Sequence, residues 1–168
     1  MNTTTVSYDI LKLQKQCKAA HYMLLATVIA TVVNILLLFS QIGLHIPYDA
    51  SLAYYLTFLG YFFDGYALGT YTATGMVMAF GVLAAWLVVW YMARTHRAWL
   101  IVGLVLVGLD ALFLILFSLL FLQQGSGNLV PLLIHGAVIF EICVGIGAHK
   151  KLDQLQDLPP EIPEDICE

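Results

Sequence analysis

The feature that most constrains this chain is the spacing of its charged residues. Most charges stand near the two ends and in two short connections, and four long apolar runs lie between them. Only 11% of the residues are charged and 61% are hydrophobic, whereas about a quarter of an average globular domain is charged. Because about 20 apolar residues cross a bilayer, the pattern predicts an all-α integral membrane protein. The predicted transmembrane helices cover residues 19–42, 66–92, 98–122 and 131–148.

The apolar part of residues 45–63, between the first two predicted spans, is short for a transmembrane helix and rich in Tyr and Phe. Short runs of this kind are typical of interfacial or re-entrant segments. A fifth crossing would also place Arg94 and Arg97 on the side opposite to the other basic residues. The sequence therefore predicts four transmembrane helices, with a short interfacial or re-entrant helix between spans 1 and 2.

All seven basic residues fall on one side of a membrane that is crossed four times. Cytoplasmic loops are enriched in Lys and Arg, so both termini are predicted to lie in the cytoplasm. The first apolar run is too long for a cleaved signal peptide, and no A-x-A site follows it. The expected location is therefore a cell membrane. The seven residues are Lys12, Lys15, Lys18, Arg94, Arg97, Lys150 and Lys151.

Two short cytoplasmic segments flank the predicted four-helix transmembrane domain of residues 19–149. Residues 1–18 are a lead that can continue as a helix into the first span. Residues 150–168 form an acidic tail that contains prolines, has little to bury and is expected to be disordered. The three cysteines are not expected to form a disulfide and show no CxxC or Cys–His zinc spacing. No Gly-rich phosphate loop is present either, so no motif requires a metal or a cofactor, and nothing indicates nucleic-acid binding.

Polar and small residues recur at helical spacing and so define one face of each predicted span. The face of the third span carries Gly103 and Asp110, one heptad apart. Small residues permit close helix packing in membranes, so such faces are predicted to point into the bundle. The other faces are Thr27, Thr31, Asn34 and Gln41 in the first span, Tyr66, Thr70 and Thr74 in the second, and Ala137, Glu141, Gly145 and Ala148 in the fourth.

Two carboxylates stand deep inside predicted spans, where an unpaired charge is costly. Asp110 and Glu141 are expected at similar depth near the midplane. They are therefore predicted to form one cluster, in which at least one of the two carboxyl groups is protonated. This cluster is the candidate proton or cation site. The competing hypothesis is that each is protonated and bonds a hydroxyl or a backbone carbonyl across a helix interface. Four further candidates would line a polar pocket open to the outside: His135, Asn34, Thr70 and Thr74.

Four short pieces of the sequence, taken in their order along the chain, form a recognisable layout. They are IPY at residues 46–48, Asp110 in the third span, His135 early in the fourth, and GAHKKL at residues 147–152. The layout resembles small multi-pass proteins of Gram-positive bacteria, and this resemblance implies a membrane fold and no particular function. The chain lacks the CxxC of quinone-linked four-helix oxidoreductases, the early-helix glutamate of small multidrug transporters, and the paired loop cysteines of claudins and tetraspanins.

Three classes of function stay open. The first is proton- or cation-linked transport or binding of a small solute through Asp110 and Glu141. The second is a non-catalytic accessory subunit of a larger membrane complex, bound through the helix faces and the acidic tail. The third is an intramembrane enzyme, for which no nucleophile–base spacing is visible. A metal site of His45, Asp64 and His135 is a weaker alternative because its spacing is irregular. The expected partners are the lipid bilayer and a second copy of the chain or a larger membrane protein.

Overall fold

The computed structural model describes residues 3–41, 43–120 and 129–156, and within these ranges it contains five α-helices and no strand. Four helices are long and apolar enough to cross a membrane, as predicted, and a helix of 13 residues lies between the first two of them. The helices are α1 (Thr3–Ser40), α2 (Ser51–Phe63), α3 (Thr70–Met92), α4 (Arg97–Leu120) and α5 (Leu129–Gln156).

Three helix ends differ from the predicted limits by more than two residues. α1 begins at Thr3, so residues 3–18 of the predicted lead are continuous with the first long helix. α5 continues to Gln156, which makes the start of the predicted tail helical, and residues 157–168 lie outside the described residues. α3 begins at Thr70, after the turn that ends α2, in which Gly65 and Tyr66 adopt positive φ angles of 67° and 63°.

The four long helices form a bundle in which each packs against two neighbours, in the order α1, α3, α4, α5 and back to α1. The closest approach of α1 and α5 depends on Gly145, because a Cβ at that position would collide with the Cβ of Ala20. Apolar side chains fill the centre of the bundle, among them Leu24, Leu83, Trp86, Leu100, Val107 and Ile142.

The basic residues gather at one end of this bundle, which we call the basic end. The first half of α1 packs on the last half of α5, where the Sγ of Cys17 donates a hydrogen bond to the carbonyl of Gly145. Arg94, in the connection between α3 and α4, contacts His21 of α1. The turn of residues 64–69 between α2 and α3 lies at the other end, which we call the loop end. All seven Lys and Arg residues therefore lie toward the end opposite to this turn.

The short helix α2 begins in the middle of the bundle and ends at the loop end. Its first residue contacts Asp110, which lies about 20 Å along a helix of about 36 Å. Residues 43–50 therefore run back along α1 from the loop end, and the bond from the N–H of Ala50 to Oγ1 of Thr31 marks their depth. α2 then returns along α3. We call residues 43–63 the hairpin.

Two glycines let the hairpin pack tightly against α3. A Cβ on Gly60 would collide with the backbone carbonyl of Tyr71, and a Cβ on Gly75 would collide with the carbonyl of Leu56. Small residues at helix crossings permit such close contact between backbones. The hairpin is therefore a packed part of the bundle and not a loop that lies on its surface.

The inward face of α3 differs from the predicted one. Thr72 and Gly75 are buried, whereas Thr70 and Thr74 are exposed. The cause is Asp64, whose Oδ2 accepts hydrogen bonds from the N–H of Thr72 at 2.6 Å and from its hydroxyl at 2.8 Å. These bonds cap the first turn of α3 and direct Thr72 inward, which turns the predicted threonine face away from the bundle.

The faces of the other long helices agree better with their predictions. Gly103 and Asp110 are both buried on α4. On α1, three of the four predicted residues are buried and Gln41 is exposed. The buried face of α5 includes Gly145 and Ala148 as expected, but Ala137 is exposed and Glu141 is only half-buried. This face is centred on His135, Val138 and Ile142.

Candidate functional site

Hydroxyl groups of α1 hold the part of the hairpin that runs back into the bundle. Oγ1 of Thr31 accepts a hydrogen bond from the N–H of Ala50 at 2.7 Å and donates to the carbonyl of Thr27 at 2.7 Å. The hydroxyls of Thr27 and Tyr48 are hydrogen-bonded to each other. The polar stripe that the sequence shows on α1 therefore binds the hairpin of the same chain.

Asn34 makes the most extensive of these contacts. Its Oδ1 accepts from the N–H of Ile46 at 2.7 Å, and its Nδ2 donates to the carbonyl of Ile46 at 2.9 Å and to Oδ2 of Asp49 at 2.7 Å. Nε2 of His45 lies 3.3 Å from the same oxygen of Asp49. Since Asn34 and Asp49 are buried, their polar atoms are satisfied inside the protein, as buried polar groups generally are.

Asp110 of α4 caps the first turn of α2. Its Oδ2 accepts a hydrogen bond from the N–H of Ser51 and its Oδ1 accepts one from the N–H of Leu52, both at 2.9 Å. Ala50 precedes α2 and has no side chain that can cap the helix, so another helix supplies the acceptor. The unpaired N–H groups and the partial positive charge of a helix N-terminus both favour a carboxylate at this position.

The second partner of Asp110 is His135 of α5. Nε2 of His135 lies 2.9 Å from Oδ2 of Asp110, and Nδ1 lies 2.8 Å from the carbonyl oxygen of Pro131. A carbonyl oxygen can only accept, so Nδ1 carries a hydrogen. The contact with Asp110 then requires a second proton, on Nε2 or on the carboxyl group, because two lone pairs would otherwise face each other. Loss of this proton leaves His135 with one of its two hydrogen bonds.

We call Asn34, Asp49, Ser51, Asp110 and His135 the polar cluster. Ser51 links its two halves, since its N–H contacts Asp110 and its hydroxyl donates to Oδ1 of Asp49 at 3.4 Å. Within the described part of the chain, both carboxylates are paired with a histidine and not with Lys or Arg. His45 is 40% exposed, whereas His135 is 1% exposed.

Three of the six residues predicted from the sequence meet in this cluster, namely Asp110, His135 and Asn34. Thr70 and Thr74 do not, because they lie on the exposed face of α3, where Thr74 donates to the carbonyl of Thr70 in its own helix. The predicted pocket that opens to the outside is not formed by these residues, since the hairpin occupies the space beside Asn34 and Asp110.

Glu141 stands apart from the polar cluster. It is half-buried, and in the described residues its carboxylate takes part in none of the hydrogen bonds or ion pairs around Asp110. The reason is helical geometry: Glu141 follows His135 by six residues, which is about 9 Å along α5 and about 120° around it. The partner of Asp110 is thus the histidine and not the second carboxylate that the sequence suggested.

The residues that sequence reasoning missed belong to the hairpin. Asp49 and Ser51 have no helical period that points to them. One signal was present: no residue that commonly caps a helix directly precedes Ser51. That signal becomes readable only once the start of α2 is known.

A metal site is not assembled in the described residues, where no group of three or more His, Cys, Asp or Glu side chains could hold an ion. The alternative site of His45, Asp64 and His135 is therefore not formed. Asp64 caps α3 at the loop end, and each histidine pairs with a different aspartate.

Comparisons of this chain with protein-family models, with curated proteins and with solved structures give no match.

Proposed function

We propose that this chain is a multi-pass membrane protein that couples a proton bound between Asp110 and His135 to the position of the hairpin, in the transport or binding of a small solute. In this proposal the four long helices span the membrane and both termini lie in the cytoplasm. The hairpin then enters from the outer side as a re-entrant element. Supporting this topology are the apolar lengths of the four helices, the basic residues at one end, and the length of α2, about 20 Å, which is too short to cross.

One observation carries the proposal: a single carboxylate is both the proton partner of His135 and the cap of α2. Protonation of Asp110 removes the negative charge that the N–H groups of Ser51 and Leu52 contact. Deprotonation of His135 removes the positive charge that balances the carboxylate in the bundle. Protonation therefore weakens the contact that holds α2, whereas deprotonation leaves a buried carboxylate without its counter-charge, a cost that opening to water relieves. Both changes couple protonation to movement of the hairpin.

The nature of the solute follows from what the hairpin covers. Displacement of the hairpin exposes Thr31 and Asn34 of α1 and Asp110 of α4 on the loop-end side of the bundle. Hydroxyl, amide and carboxylate groups in that arrangement suit a small polar or cationic solute. The apolar core toward the basic end, around Leu24 and Leu100, would separate this solute from the cytoplasm until the helices rearrange.

The proposal is tested by measuring charge movement in proteoliposomes adsorbed on a solid-supported membrane. A step in external pH is applied with no solute added, so that proton binding inside the protein appears as a transient current. We expect a transient for the wild type, and we expect it to be lost in Asp110→Asn and in His135→Gln. Glu141→Gln is the matched control, because it removes another carboxylate from a long helix without touching the polar cluster.

Two results would overturn the proposal. One is a wild-type protein that inserts into the liposomes and gives no transient over the pH range from 5 to 8 in which a histidine commonly titrates. The other is a transient that survives in both cluster variants. A transient that is lost equally in Glu141→Gln would place the proton on the carboxylate pair predicted from the sequence and not on the aspartate–histidine pair.

A further inference from the structure

The basic end holds a second group of polar side chains that the proton site does not use. Arg94 places the carbon of its guanidinium group 4.5 Å from the ring centre of Trp90, and its Nε donates a hydrogen bond to Nε2 of His21 at 3.4 Å. The rings of His21 and Trp90 are stacked, with centres 5.4 Å apart. Three residues from α1, α3 and the following turn thus form one group.

This group has more hydrogen-bond donors than acceptors. Because Arg94 donates to Nε2 of His21, the hydrogen of the neutral imidazole is on Nδ1. Nδ1 of His21 and Nε1 of Trp90 are both buried N–H donors without a hydrogen-bond partner in the described residues. The remaining guanidinium hydrogens of Arg94 also lack a carboxylate, since the ion pairs in the described residues join histidines to Asp49 and Asp110.

We propose that Arg94, His21 and Trp90 bind the phosphate group of an anionic phospholipid. A phosphate oxygen is an anionic acceptor, which suits a guanidinium group beside unpaired N–H donors. The surface beside Arg94 argues for a lipid as the source of the phosphate. Tyr91, Leu87 and Val88 precede Arg94 along α3 and are 62%, 41% and 52% exposed, so acyl chains would cover apolar surface there.

The position of the group agrees with a lipid headgroup. Trp90 lies two residues before the end of α3 and Arg94 lies in the connection to α4. Tryptophan and arginine are common at the membrane–water interface. The Trp ring and the Arg side-chain stem are apolar and face the hydrocarbon, whereas their polar tips face the headgroups. This inference goes beyond the proton site and rests only on the membrane insertion proposed above.

The test uses the full chain purified in detergent and native mass spectrometry with dioleoyl phosphatidylglycerol, dioleoyl phosphatidylcholine or inorganic phosphate. We expect the wild type to bind phosphatidylglycerol in preference to phosphatidylcholine. Arg94→Gln should weaken that binding by about tenfold, the usual effect of one charge-assisted hydrogen bond. Trp90→Phe keeps an aromatic ring beside Arg94 but removes the N–H donor together with the second ring of the indole, and a smaller weakening than for Arg94→Gln is expected. Lys150→Gln is the matched control because it removes one exposed charge from the same end.

Equal weakening by Arg94→Gln and Lys150→Gln would overturn the inference, because it would show a general attraction to the basic end. Equal binding of the two phospholipids would also overturn it. Competition by inorganic phosphate at the lipid concentration would identify a soluble phosphate site and would exclude the lipid as the specific ligand. Alkaline extraction of membranes that contain each variant reports insertion separately, so a failure of insertion is distinguishable from a failure of lipid binding.

Discussion

Oδ2 of Asp110 lies 2.9 Å from Nε2 of His135, although the two residues belong to different helices and are 25 positions apart. The same oxygen also accepts the N–H of Ser51, which is 59 positions away. Three separate segments of the chain therefore meet at one carboxylate. This contact caps the first turn of α2 and pairs a buried carboxylate with a buried histidine, so the packing of the hairpin depends on it.

The coupling between Asp110 and His135 should be measurable as a stability difference. In a double-mutant cycle with Asp110→Asn and His135→Gln, we expect an interaction free energy of about 1–3 kcal/mol, as found for residues in one hydrogen-bonded network. Asp110→Asn alone should cost about 1–2 kcal/mol, because the amide keeps one acceptor oxygen for the two N–H groups of α2. The measurement is reversible unfolding in mixed micelles with increasing SDS. The control cycle pairs His135→Gln with Glu141→Gln and should be additive within about 0.5 kcal/mol.

Asn34 should govern the exchange protection of the hairpin. Asn34→Ala removes the acceptor for the N–H of Ile46 and the amide that contacts Asp49, so backbone amides of residues 46–52 should exchange faster with deuterium. A loss of one or two such bonds corresponds to about a tenfold rise in the opening equilibrium. Hydrogen–deuterium exchange followed by mass spectrometry measures this. Thr74→Ala, on the exposed face of α3, should leave the hairpin protected, and equal exchange in both variants would contradict the assignment.

The α1–α5 contact should be sensitive to Gly145 and insensitive to Gly147. A Cβ at Gly145 collides with Ala20, whereas a Cβ at Gly147 meets nothing within 4 Å. Gly145→Ala should therefore lower the free energy of unfolding by about 1–3 kcal/mol, the usual cost of overpacking. Gly147→Ala should be neutral or slightly stabilising, because Ala favours helix more than Gly does. SDS unfolding of the two variants is the measurement, and a larger loss for Gly147→Ala would refute the described packing.

Asp64 should make the loop end sensitive to acid. Hydrogen bonds from the backbone N–H and the hydroxyl of Thr72 hold the pKa of the Asp64 carboxyl below its ordinary value of 3.8. The pKa of Asp64 is lower in the folded protein than in the unfolded chain. The stabilisation of the fold by the ionised Asp64 is therefore present above pH 3.8 and is lost as the pH falls through the pKa of the folded protein. Asp64→Asn should therefore be less stable than the wild type at neutral pH, and this difference should shrink below pH 3.8. A difference that stays constant down to pH 2 would contradict this prediction.

Much of the architecture was predictable because it depends on local composition. The length of an apolar run determines whether a helix can cross a bilayer, and α2 is visibly too short beside the four long helices. The burial of Gly103 and Asp110 was also predictable, because helical spacing places both on one face. In the same way, the polar spacing of α1 indicated that Thr27, Thr31 and Asn34 point inward.

The tertiary structure alone decided which groups these faces meet. Periodicity shows that Asp110 points inward but does not identify its partner. From depth alone, the sequence predicts Glu141 and not His135 as the partner of Asp110. The actual partners are a histidine and two backbone N–H groups. Every residue except proline has a backbone N–H, so the sequence does not show which of these groups will bond Asp110. Thr70 and Thr74 were misplaced for a related reason, since the capping of α3 by Asp64 determines the rotation of that helix. Sequence by itself thus determined how many long apolar helices form, because hydrophobicity adds up along a segment. The polar cluster around Asp110 was decided by the tertiary structure, because it consists of directional hydrogen bonds between segments far apart in the chain.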